Sequence, residues 1–188
     1  MPDMSLERAT EEVRTTLRSQ YHATLAMLRA AIEQCPEDQW ASPAPRNPFW
    51  RVAYHALYFT HLYLAPRLEE FQPWERHQRY LEDMDDDPGP SELAQYLEGD
   101  APPQTKRPLT KADLLDYLEF CGREVDAQLE VMDLWRETSG FWYKVPKLEH
   151  QVINIRHLAH HAGQLADRVR AATDTGVRWV GARRDPPA

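Results

Sequence analysis

Apolar residues in this chain recur at intervals of three and four, and no segment keeps up the strict alternation of a half-buried strand. Leu17, Tyr21, Leu25, Leu28 and Ile32 mark one face of a first helix. Ser5 is its expected cap, and Pro36 stops it just after Cys35. The pattern predicts an all-α fold.

Three more helical segments follow. After the Pro-rich turn SPAPRNP, Asn47 is the expected cap and Pro48 the first helical residue of FWRVAYHALYFTHLYLAPRLEE. This second helix is apolar almost all round, so it should touch several neighbours. Arg51, His55, Thr60 and His61 argue against its crossing a membrane. Thr110, with Asp113 three positions on, resembles a capping box opening a third helix, with a stripe of Leu114, Leu118, Cys121, Val125, Leu129 and Met132. A fourth helix starts near Pro146, with an expected stripe of Leu148, Val152, Ile155, Ala159, Ala162, Ala166 and Val169. Such regular spacing suits a bundle seam.

Residues 71–109, between the second and third helices, form a long connection rich in Pro, Asp and Glu. A link of this length is unusual unless it crosses over or covers a site, and it would let those two helices run parallel. Its acidic run Asp85–Asp87 lacks EF-hand spacing and reads as solvated loop. Residues 173–188 read as a C-terminal tail, and 1–188 as a single domain.

The net charge of -8 excludes a generic nucleic-acid binder, which would carry a basic face. The one basic cluster, Arg178, Arg183 and Arg184, is expected to be a solvated terminus. No apolar run reaches the roughly 20 residues of a membrane span, and the opening residues lack the pattern of a signal peptide. Cys35 and Cys121 have neither metal nor redox spacing and read as free thiols, so the cytoplasm is the expected compartment.

The stretch INIRHLAHHAGQLADRVR puts three of the chain's eight histidines within five positions. Successive helix residues are turned by about 100°, so His157 and His161 share a face and can point at one ion. Measured from Ala162 they lie about 100° and 140° round, on the flank of the stripe, while His160 falls further out on the polar side. Two histidines seldom hold a metal unaided, and a catalytic site wants a third ligand and an open position. His55 is the best candidate, although alone it also reads as a hydrogen-bonded core histidine. His61, about 120° away, is equally open on spacing. The zincin motif fails because Leu158, not Glu, follows His157, and the Glu-x-x-His pairs of di-iron bundles are absent. No residue is an unambiguous catalytic base. Glu149 and His150 precede the pair by two turns, and His150, about 20° from the His157 azimuth, could serve as an outer group.

RHLAHHAGQLADRVR resembles the fourth-helix signature of the DinB/YfiT-like proteins, an H-x-x-H-H pattern followed by Gly-Gln-Leu and a basic helix end. FWRVAYHALYFTHLYL resembles their second helix. The resemblance covers essentially the whole chain. It implies a four-helix bundle in an up-down-down-up arrangement with a long crossover after the second helix. It also implies a divalent metal, zinc or nickel, held by His55, His157 and His161, and a homodimer. For function it points to a metal-dependent enzyme that activates a low-molecular-weight thiol or a water, transferase-like or hydrolase-like, on a small-molecule substrate. Phe141–Lys144 would then frame the pocket or simply pack at the mouth of the fourth helix. The competing expectation is a non-catalytic dimeric bundle, with or without metal, in a stress-related or interaction role.

Overall fold

The computed structural model describes residues 4–43, 46–78, 81, 82, 84 and 107–183. Most of the expected crossover, Asp85–Asp87 included, and Arg184 lie outside the described residues. Among the described residues there are helices and no strands: α1 (Met4–Gln34), a short α2 (Glu37–Trp40), α3 (Phe49–Leu64), a 3-10 turn (Leu68–Glu70), α4 (Lys111–Val131) and α5 (Lys147–Thr173). No helix among them is long and apolar enough to cross a membrane.

Most boundaries follow local chemistry. The Thr110 hydroxyl accepts from the Asp113 N–H at 3.1 Å, and the Asp113 carboxylate accepts from the Thr110 N–H at 3.0 Å. This capping box, worth about 1 kcal/mol, starts α4 where the sequence places it. Pro146, in extended conformation, caps α5. Three expectations shift. Ser5 lies one residue inside α1 rather than before it, within the usual uncertainty of helix ends. Pro48, not Asn47, caps α3, because its carbonyl already accepts from the N–H groups of Arg51 and Val52. The second helix does not run on to Glu70. Pro66 forces Ala65 into an extended conformation (ψ 149°), and only the 3-10 turn follows. The four-residue α2 has no periodic signal to announce it.

α1 and α3 each pack against both α4 and α5 and lie across a diagonal from one another. Along α1, His22 meets Asp126 and Arg29 meets Glu119, so α1 and α4 run in opposite senses. Tyr54 lies near Tyr117, and the Leu57 carbonyl lies against the Cys121 thiol, so α3 and α4 run in the same sense. Gln151 reaches the Tyr63 carbonyl and Asn154 the Thr60 carbonyl, so α3 and α5 run in opposite senses.

The expected stripes of α1 and α4 are all buried. The stripe of α5 is not. Val152 and Ala159 are exposed, Leu148, Ile155 and Ala166 are half-buried, and only Ala162 and Val169 are buried. The helix is turned by roughly one residue, about 100°, toward its polar side. It buries Lys147, His150, Gln151, Asn154, Leu158, His161, Ala162, Leu165 and Val169. Counting only apolar residues misplaces a face whose interior positions are largely polar.

The tail is also less free than expected. The Arg183 N–H donates to the Ser19 carbonyl and the Gln20 amide to the Gly181 carbonyl, laying the segment along α1.

Candidate metal centre

Every residue of α3 is buried except His55 and Phe59, which are half-buried one turn apart. This gap in the packing faces the middle of α5. There the Nε2 atoms of His55 and His157 stand 3.0 Å apart, and those of His157 and His161 3.1 Å apart. Each of the three offers a ligand atom within 4.8 Å of the others. Two imidazoles bound at 2.0–2.1 Å to a tetrahedral ion would hold their nitrogens roughly 3.3 Å apart. The cluster therefore fits a small divalent ion.

The far sides of the rings support the same reading. His55 Nδ1 donates to the Glu82 carbonyl, and His161 Nδ1 donates to the Gln164 Oε1 at 2.8 Å. A ring with its proton committed at Nδ1 carries a bare lone pair at Nε2, the form in which histidine binds metal. Two such lone pairs face His157, whose single ring proton could satisfy at most one of them. A cation at the centre satisfies all three.

Burial keeps the rings neutral. It lowers the His55 pKa to about 4 against the hydrogen bond to Glu82, with nearby His161 and Arg51 adding to the fall. His157 falls to about 3, by burial and then by its neighbours His55, His161 and His160, and burial also lowers His161. No proton has to leave at neutral pH before a metal can bind.

The other histidines lie elsewhere. His61, open as an alternative on spacing, is buried against Phe71 and Phe120 and meets the Tyr117 hydroxyl at 3.2 Å. His160 is exposed and takes the Gln164 amide at 3.0 Å. His22 pairs with Asp126, and His77 with the Tyr54 hydroxyl. His150 is fully buried among the rings of Tyr63, Phe141 and Tyr143, and Glu149 is exposed. Phe141, Trp142 and Tyr143 pack around Tyr63 at centroid distances of 5.7 to 5.8 Å. Tyr63 in turn lies 6.5 Å from the His157 ring.

Two outer partners were missed by the sequence reading. Gln164 was legible, since it stands three residues after His161 on the same helix. Glu82 acts through its backbone carbonyl, for which no side-chain pattern exists. The cysteines are both free and buried. Burial pushes the Cys35 thiol up to about 11 and the Cys121 thiol well above its ordinary value.

No curated protein and no solved structure matches the chain. The model of the DinB superfamily matches residues 20–165, from within α1 to Leu165 of α5, a span holding all three clustered histidines. With that match over most of its length and an all-helical fold around the cluster, the chain belongs to the DinB superfamily.

Proposed function

We propose that the chain is a divalent-metal-dependent enzyme in which His55, His157 and His161 hold zinc or nickel through Nε2, and a thiol or a water is activated to attack a small-molecule substrate. The observation that carries this reading is the convergence of three neutral imidazoles, two of them with Nδ1 already committed to an outer acceptor. Three protein ligands leave a position open, which distinguishes catalytic from structural sites. A bound ion would lower the pKa of the water or thiol that takes that position.

The chain's own residues set the conditions. Phe59 lies against the rings of His55 and His157 at 4.7 and 5.4 Å and shields one side of the cluster from water. Cys35 and Cys121 are buried and held as protonated thiols, so a thiol in the reaction comes from solution as a low-molecular-weight cofactor. The same proposal includes a cytoplasmic homodimer acting on neither nucleic acid nor membrane, in keeping with the net charge of -8.

The test is metal content by mass spectrometry on untagged protein never exposed to a nickel column. About one ion per chain is expected, lost in His55→Ala, His157→Ala and His161→Ala and kept in His160→Ala. Thiol-transfer or hydrolysis turnover should vanish with the ion in His157→Ala. A wild type that neither carries nor takes up an ion would sink the proposal and leave a non-catalytic bundle.

A further inference from the structure

The inner face of α5 carries a line of buried polar atoms without a hydrogen-bond partner among the described residues. They are both ring nitrogens of His150, Oδ1 of Asn154 and Nδ1 of His157. The three residues stand at i, i+4 and i+7, within about 60° of one another round the helix. His150 and Asn154 are 0% exposed. A buried polar atom that nothing meets is destabilising. Poor packing does not account for them, because their polar neighbours on this face are fully engaged. Gln151 accepts from the Tyr21 hydroxyl and donates to the Tyr63 carbonyl. Lys147 donates to the carbonyls of Ala65, Pro66 and Ser139.

The orphans are complementary. His157 turns Nε2 toward His55 and His161, so as a ligand through Nε2 it carries its proton on Nδ1, which is then a donor. The Asn154 amide nitrogen donates to the Thr60 carbonyl at 3.0 Å, which fixes its oxygen as the unmet acceptor. Donor and acceptor therefore lie three residues apart on one helix face, the spacing at which side chains meet. His55 and His161 each have an outer acceptor, and His157 lacks a direct one. A buried polar site with several partners is where a structural water binds.

We propose that Asn154 is the positioning residue of the third histidine: its Oδ1 accepts the His157 Nδ1–H through one buried water and holds that ring in the tautomer that presents Nε2. His150 extends the same hydrated column away from the cluster. The inference rests on the metal reading above.

Ring 15N–1H NMR on the Zn2+-loaded protein reads each Nδ1–H directly. Wild type should show a His157 Nδ1–H protected from exchange with solvent, and Asn154→Leu should speed that exchange while the protons of His55 and His161 stay as they are. Competition titration with Zn2+ gives the second readout. Asn154→Leu should weaken binding about 10- to 100-fold. Asn154→Asp keeps the acceptor and should stay close to wild type. Both variants lose the donor to Thr60, so an equal loss in the two would mean that Asn154 acts through α3 rather than through His157, and the proposal would fall. An unchanged exchange rate of the His157 Nδ1–H in Asn154→Leu would overturn it too. Should the leucine variant not fold, Asn154→Ala removes the same oxygen and is read in the same way. A wild type that binds no Zn2+ defeats the metal reading and this inference with it, whereas a wild type that binds Zn2+ no more tightly than Asn154→Leu defeats this inference alone.

Discussion

α1 and α5 lie side by side in the bundle and bury faces of opposite character. The inner face of α1 is Leu17, Tyr21, Leu25, Leu28 and Ile32, every one nearly or fully buried. The inner face of α5 holds Lys147, His150, Gln151, Asn154 and His161 among a few aliphatic side chains. A buried apolar side chain stabilises by roughly 1.5–3 kcal/mol. A buried polar one contributes only about 0.5–1.5 kcal/mol per hydrogen bond made, and costs about 1–3 kcal/mol for each atom left unmet. So α1 supplies stability, and α5 spends part of it to hold ionisable groups where water would otherwise level their properties. Adjacent helices can do opposite work.

The largest effect expected from this contrast lies in α1. Leu28→Ala should cost about 2–5 kcal/mol in denaturant unfolding, by lost transfer energy and the cavity left behind. Zn2+ stoichiometry should not change, because α1 contributes none of the clustered histidines. A variant that kept full stability, or lost metal while still folded, would break the division of labour. Lys147→Met makes the opposite test at the foot of α5. Arg136 still donates to the Pro66 and Ser139 carbonyls, so chiefly the Ala65 carbonyl loses its partner, at about 1–3 kcal/mol. The pH profile should change as well. Burial, helped by Arg136, lowers the Lys147 pKa from 10.5 to about 7. Between those values the unfolded chain binds more protons, so this group makes wild-type stability rise with pH from about 7 to 10.5. The methionine variant should lack that rise.

The same contrast explains what the sequence revealed. Apolar periodicity found the faces of α1 and α4, where every residue of the expected stripes is buried, because there most of the buried residues are apolar. It misplaced α5 by about 100°, because Gln151, Asn154, His150 and Lys147 count as solvent-facing in any scheme that sorts by polarity. The i, i+4 spacing of His157 and His161 was legible nonetheless, since it depends on helix geometry alone. His55 was ambiguous with His61 until packing was known: both sit in an apolar helix, and only contacts from α4 and α5 separate them. Glu82 was beyond reach, as a backbone carbonyl brought in by tertiary structure.

A smaller effect comes from acid. Burial, with Lys147 and Arg136 nearby, lowers the His150 pKa from 6.5 to about 3. The unfolded chain therefore binds more protons below pH 6.5, and stability falls as pH drops from 6.5 toward 3. Metal-free wild type should lose melting temperature steadily between pH 7 and 5. His150→Phe keeps the aromatic packing and should flatten that slope by about 2 kcal/mol over the interval. An equally steep slope in the variant would assign the acid sensitivity to the cluster alone.

The finest test separates two residues that touch each other. Gln164 accepts from His161 Nδ1 with its oxygen and donates to His160 with its nitrogen, so one amide links a clustered ring to an exposed one. Gln164→Leu removes the acceptor that sets the His161 tautomer and should weaken Zn2+ about tenfold, the lower end of what outer partners contribute. His160→Ala leaves that acceptor in place. The amide then loses only a solvent-exposed hydrogen bond, an effect within about 0.5 kcal/mol, or roughly twofold in affinity. If His160→Ala instead weakened Zn2+ as much as Gln164→Leu, the exposed ring would be holding the amide in register. The boundary of the centre would then have to be drawn one residue further out on α5, past the face that packing alone defines.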